Sequence, residues 1–162
     1  MSSDYKKRIE AAVGKYVTKN DPNRVKRKNE SPERDLQKQV LSFLNSLGWS
    51  IHNIESKSTY SESASRYIGQ AAIPGMPDLI GNDDLGHAVY IEMKAKGRRG
   101  TLRPAQREFL MRKIETNCFA IVADSIEMIS ENYFEWKSHN DRKSYLIGLL
   151  PTERVSQSDD LF

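Results

Sequence analysis

One cysteine, three histidines and no long apolar run characterise this 162-residue chain, and each scarcity excludes something. The lone Cys118 rules out an internal disulfide, and its place in the apolar run Cys118 to Ala123 predicts a buried thiol. His52, His87 and His139 share no metal-ligand spacing, which argues against zinc chemistry. No stretch approaches the roughly 20 apolar residues of a membrane span, and the N-terminus shows no apolar signal core. The expectation is a cytoplasmic protein with no membrane partner.

Hydrophobic residues make up 38% and charged residues 29% of the chain, the balance of one core with polar flanks. The length suits one domain of about 100 to 130 residues with flexible ends, and not two domains. Net charge is only +3, yet it is unevenly spread. Lysine and arginine crowd the N-terminal part and the run Lys94 to Arg107, while Asp159 and Asp160 make the end acidic. A locally basic surface favours a polyanion such as nucleic acid; a solvated charged face is the alternative for either cluster alone.

The segment Gly75 to Gln106 is the most informative. From His87 to Ala95 the residues alternate, so Val89, Ile91, Met93 and Ala95 share one strand face and Ala88, Tyr90, Glu92 and Lys94 the other. Residues two apart on a strand stand roughly 6.5 to 7 Å apart, so Glu92 and Lys94 can share a small site without a forced ion pair. Met76 to Gly81 reads as a shorter strand opened by Pro77, with Asp78 at its start. The turn formers Gly81 to Gly86 predict a hairpin that brings Asp78 to the end of the neighbouring strand that holds Glu92 and Lys94.

In chain order, Tyr5, Ile9, Ala12, Val13 and Tyr16 predict an amphipathic helix that docks on the domain or on a second subunit, the alternative being a marginal helix that frays, followed by a basic linker from Thr18 to Asn29. Ser31 and Pro32 start a second helix with the stripe Leu36, Val40, Leu44 and Leu47, ended by Gly48. Glu33 lies three before Leu36, on the stripe's face; the plain alternative is a first-turn acid favoured by the helix dipole. Trp49 to Ile54 reads as a strand. Glu55 to Gln70 reads as a polar loop or hairpin in which Arg66 meets phosphate and Tyr67 stacks on a base, or as a surface loop with neither role. After Ala95, the turn Lys96, Gly97, Arg98, Arg99 and Gly100 is basic and glycine-rich, suited to clamping phosphate. A helix begins at Thr101 or Arg103 and carries Gln106 in its first turn and Lys113 two turns on; Asn117 caps its end. Cys118 to Ala123 then reads as a buried central strand, Asp124 or Ser125 as the cap of a short helix, and Tyr133 to Leu150 as a helix or strand covering a sheet edge.

Pro77 and Asp78 followed by Glu92, Met93 and Lys94 resemble the PD-(D/E)XK nuclease signature, and the wider pattern GMPD, IEMKAKGRRGTL and PAQ resembles the VRR-NUC family within it. The match runs from about Glu33 to Ala123. It implies an α/β fold with an αβββαβ order and a small mixed central sheet flanked by helices. The domains expected are a basic extension over residues 1–30, a nuclease core over 31–130, an addition packed on it over 131–150 and a flexible tail over 151–162. The resemblance further implies that Asp78, Glu92, Lys94, Glu33 and Gln106 are catalytic and that Asp78, Glu92, Glu33 and the Met93 carbonyl hold metal. Arg66, Lys96, Arg98, Arg99 and Arg103 are the expected DNA contacts.

Carboxylates about 4 Å apart repel by roughly 4 kcal/mol at an effective dielectric near 20, so such a cluster needs a cation. Oxygen ligands favour Mg²⁺, with Mn²⁺ able to substitute. By the same resemblance the chain is a homodimeric endonuclease acting on branched DNA such as a four-way junction, in a bacterial or phage-infected cell. The alternatives are a restriction-like or general nuclease and a DNA-binding accessory protein. The last six residues resemble a bacterial sliding-clamp-binding peptide, with Gln157, Leu161 and Phe162 as its anchors and the clamp as partner.

Overall fold

The computed structural model describes residues 3–17, 32–54, 58–61, 66–69 and 73–152. In chain order these form α1 (Ser3–Val17), α2 (Pro32–Ser46), β1 (Ser50–Asn53), β2 (Ser58–Ser61), β3 (Arg66–Gly69), β4 (Leu79–Asn82), β5 (Ala88–Met93), α3 (Pro104–Glu115), β6 (Phe119–Ala123), α4 (Ile126–Ser138) and α5 (Arg142–Leu149). The class is α/β: a four-stranded sheet ordered β1-β4-β5-β6, with β2 and β3 forming a separate antiparallel pair. The pairs β1–β4 and β4–β5 are antiparallel, and β5–β6 is parallel. A parallel pair needs a crossover, and α3 supplies it. No helix among the described residues is long and apolar enough to cross a membrane.

The helices follow their apolar spacing. Along α2, Val40, Phe43 and Leu44 are buried, and Gly48, at φ +89°, turns the chain into β1. On α1, Ile9 is buried, and the helix packs against α2 and α4 of its own chain. The basic linker and Ser31 lie outside the described residues.

The central hairpin forms as its turn residues dictate. Within the loop the Asp83 N–H donates to the His87 carbonyl at 2.9 Å, and Gly86 takes φ +85°. Gly81 is required where β1 crosses: a Cβ there would stand 1.9 Å from the Ser50 carbonyl oxygen. In β5 the alternation holds, with Val89, Ile91 and Met93 all buried on one face. Asn117 takes φ +63° after α3, as an Asn at a helix end readily does.

Four expectations need correction. Cys118, expected as a buried thiol, lies one residue before β6 and is only partly buried. The strand expected from Met76 begins at Leu79, so Asp78 sits one residue before it. β6 is fully buried but lies at the sheet edge and not at its centre; α3, α4 and α5 pack against it and exclude water as flanking strands would. The short helix expected after Ser125 is α4, with 13 residues that bury Tyr133 and Trp136, so the domain boundary expected at residue 130 falls inside a core helix.

Candidate active site

Hairpin register fixes the first two site residues. Leu79 pairs with Ile91 at the end of the β4–β5 ladder, which sets Asp78 beside the last residues of β5. There the Met93 N–H donates to Asp78 Oδ2 at 2.8 Å. The Ile54 N–H donates to the Asp78 carbonyl at 2.8 Å, so backbone and carboxylate of this residue are held from different strands.

Glu92 is 1% and Lys94 9% exposed. Lys94 Nζ donates to Glu92 Oε1 at 2.5 Å, so the two form the direct ion pair that strand spacing alone does not require. Burial is the reason: an ammonium removed from water costs several kcal/mol unless it finds an anion. Gln106 Nε2 donates to the same oxygen at 2.5 Å, and Gln106 Oε1 accepts the Arg103 N–H at 3.1 Å, which fixes the first turn of α3 to the end of β5. Glu92 Oε2 is buried and has no hydrogen-bond partner. Glu33, from the first turn of α2, accepts the Ala95 N–H on Oε2 at 3.2 Å.

Glu33, Asp78, Glu92, Lys94, Arg103 and Gln106 line one cavity of about 350 Å³. The other lining includes Ile73 to Met76, which form a tight turn. The Met76 N–H donates to the Ile73 carbonyl at 3.1 Å and Gly75 takes φ +76°, with Pro74 before it. These are the features of a type II turn. A Cβ on Gly75 would lie 1.9 Å from the Ala105 carbonyl oxygen, so at Gly75 the backbone of this turn lies directly against that of α3. A cavity of similar size, about 360 Å³, opens between α1 and α4, and none of the expected site residues lines it.

The electrostatics follow from the crowding. Burial, then the nearby Asp78 and Glu33 charges, push the Glu92 carboxyl up to about 7, against the pull of Lys94. Burial also raises Asp78, with Glu33 adding to it, while the Met93 N–H, Lys94 and Arg103 oppose the rise. Near neutral pH Glu92 is therefore only about half ionised, and a bound cation would favour its ionised form. The site's composition suits a hard divalent cation through Asp78 and Glu92. Among the described residues no group of three or more His, Cys, Asp or Glu side chains is arranged to hold a metal ion; Glu33, Asp78 and Glu92 line the same cavity, and Glu33 Oε2 accepts the Ala95 amide.

Of the expected DNA contacts whose side chains are described, Arg103 alone lines the cavity. Lys96 and Arg98 are exposed on the turn after β5. Arg99 points elsewhere: its Nη2 donates to the Leu149 carbonyl at 3.1 Å, tying the turn to the end of α5. The Gly97 N–H, expected to face phosphate, donates to Asp124 Oδ2 at 3.0 Å. Arg66 and Tyr67 lie on β3 with side chains outside the described set, and Gln157, Leu161 and Phe162 fall outside the described residues.

Sequence reasoning treated Asp83 only as a turn former, yet it anchors a second polar cluster at the other end of the hairpin. It accepts the Leu85 and His87 N–H groups at 2.9 and 2.7 Å, the Tyr133 hydroxyl at 2.5 Å, and pairs with His87 Nδ1 at 2.8 Å. Burial opposes its ionisation, but the bonds from Tyr133, His87 and Leu85 outweigh that and hold its carboxyl below the usual value. Its turn position was the only signal in the sequence; the partner that buries it is 50 residues away.

Comparison with protein-family models, with curated proteins and with solved structures finds no match to this chain. Fold and site together define an α/β protein with a carboxylate-rich, lysine-bearing cavity at one end of its sheet.

Proposed function

We propose that this chain is a metal-dependent DNA endonuclease of the PD-(D/E)XK type, similar in pattern to the VRR-NUC family, and that it cuts branched DNA as a homodimer. The observation that carries the reading is the convergence of Asp78, Glu92 and Lys94 in one cavity, with Glu92 Oε2 buried and unpartnered. A buried carboxylate oxygen without a donor is costly, and a cation would satisfy it. The residues fit Mg²⁺ or Mn²⁺ held by Asp78, Glu92 and, by resemblance, the Met93 carbonyl. Bound there, such an ion would offset charge on a phosphate oxygen and acidify a water.

The chain's own groups supply the rest. Lys94 and Gln106 both hold Oε1 of Glu92, which orients the carboxylate and leaves Oε2 free of competing donors. The Met93 N–H holds Asp78 in the same way. Lys94 donates to the attacking water and offsets negative charge growing on the phosphate. Arg103, exposed at the cavity lining, receives the flanking phosphate. The preference for branched DNA and the dimer rest on the resemblance.

The decisive experiment compares the wild type with Asp78→Ala and Glu92→Ala on labelled four-way junction, flap and linear duplex DNA, with Mg²⁺, Mn²⁺ or EDTA. The expected result is metal-dependent cutting of the junction, lowered on the order of a thousandfold or more in both variants while DNA binding persists. Equal cutting of linear duplex would move the reading to a general nuclease. Binding without any cutting by the wild type would favour the accessory protein.

A further inference from the structure

The lining of the cavity beside the carboxylates is of two kinds: Glu33, Asp78, Glu92, Lys94 and Arg103 are charged, and Ile54, Ile73, Pro74 and Met76 are apolar. Ile73 is 56% exposed, and it sits on a turn that cannot easily yield. Pro74 and Gly75 fix the turn's backbone, and the close backbone approach of Gly75 to Ala105 fixes it against α3. Leu85 and Ile147 are also large and exposed, but neither lines this cavity. A lone exposed apolar residue is ordinary on a protein surface. One held on a fixed turn in the lining of a cavity that also holds an arginine and a carboxylate cluster combines the chemistry a nucleotide needs.

We propose that this cavity accepts one unpaired nucleotide, its phosphate toward Arg103 and the carboxylates and its base against the apolar lining of Ile73, Ile54 and Met76. The proposal rests on the nuclease reading and names its substrate class: DNA whose scissile step carries an unstacked base. Size supports it. About 350 Å³ is at the small end for ligand sites, a size closer to one nucleotide than to a base pair with both backbones. Chemistry supports it as well. Every base presents an apolar face, so an aliphatic lining holds an unpaired base without reading its sequence, and side chains such as Ile are among those that separate stacked bases. Paired DNA keeps its bases stacked and gains nothing from that lining.

The test is fluorescence anisotropy with a short single-stranded oligonucleotide and a blunt duplex of the same sequence, in Ca²⁺ to limit cleavage. Wild type is compared with Ile73→Ser and Ile73→Leu. A parallel reading uses 2-aminopurine at the cut position of a junction. The wild type is expected to favour the single strand and to brighten the 2-aminopurine. Ile73→Ser should weaken single-strand binding about fivefold, as partial burial of an isoleucine implies, and leave duplex binding unchanged; Ile73→Leu should restore both signals. Equal binding of single strand and duplex by the wild type, or an Ile73→Ser variant indistinguishable from it, overturns the proposal. Cleavage in Mg²⁺ is scored separately: a wild type that binds single strands through Ile73 yet cuts nothing would sink the catalytic reading and leave the nucleotide pocket standing.

Discussion

Glu92 meets two demands that pull in opposite directions. Buried beside Asp78 and Glu33, it resists ionisation, and its carboxyl is raised from 4.5 to about 7. Because the folded-state value lies above the ordinary one, proton binding favours the fold. This stabilisation is complete below about pH 4.5 and is lost as the pH rises through 7, amounting to roughly 3 kcal/mol at most. In EDTA, the difference in Tm between wild type and Glu92→Gln should therefore shift against the wild type between pH 5 and 8, by several degrees in a chain of this size. Mg²⁺ competes with that proton, so it should raise the wild-type Tm more at pH 8 than at pH 6, and hardly at all in the variant. Parallel pH profiles for the two proteins in EDTA would mean that Glu92 is not the strained group. This residue was legible in the sequence because strand alternation and hairpin register are local: Asp78, Glu92 and Lys94 are brought together by one short turn. The Asp83 cluster was not, since a turn aspartate buried by Tyr133 reads the same in sequence as one in water.

At the scale of elements, the site depends on the fit between the Ile73 to Met76 turn and the first turn of α3. Gly75 is where they touch, and Gly86 is a natural control. Both take positive φ, but nothing lies within 4 Å of a Cβ on Gly86. Gly86→Ala should cost only the left-handed strain of about 1 to 2 kcal/mol and leave activity intact. Gly75→Ala adds a collision with backbone, so either Asp78 or Gln106 must move. It should fold, melt several degrees lower than Gly86→Ala, and lose at least tenfold in cleavage, since a displacement of about 1 Å at a reacting centre can cost a hundredfold. Circular dichroism melts and junction cleavage read both effects, and equal behaviour of the two variants would show that the contact does not position the site. Helix α2 and strand β5 were readable because an amphipathic period names the buried face. The edge placement of β6 was not, because a strand covered by helices and a strand covered by strands carry the same apolar run. The extent of α4 was missed for a related reason: Tyr133 and Trp136 look like isolated aromatics until the helix that spaces them is seen to cross the core.

For the whole molecule, the β4–β5 hairpin separates two jobs. Its open end holds the carboxylate cavity, and its turn end holds the cluster around Asp83, Asp84 and Tyr133. The four residues of β4 span roughly 14 Å, which is enough for independent energetics. Helix α1 belongs to the turn end. The Tyr5 hydroxyl donates to Asp84 at 2.6 Å and accepts from Trp49 Nε1 at 3.1 Å, and burial, with the Asp84 bond, raises that phenol to about 12. Ile9 fills the space between α1 and the core. Removing residues 1–17 would uncover this apolar surface and strand the Trp49 donor, a loss on the order of 3 kcal/mol or somewhat more. The truncated chain should stay folded and melt about 6 to 12 °C lower. The rise in Tm on adding Mg²⁺ at pH 8 should nevertheless match that of the full chain, because no described side chain of α1 lines the carboxylate cavity. A truncation that also abolished the metal response would show that the two ends of the sheet are coupled, and would make α1 part of the site's machinery as well as of the fold.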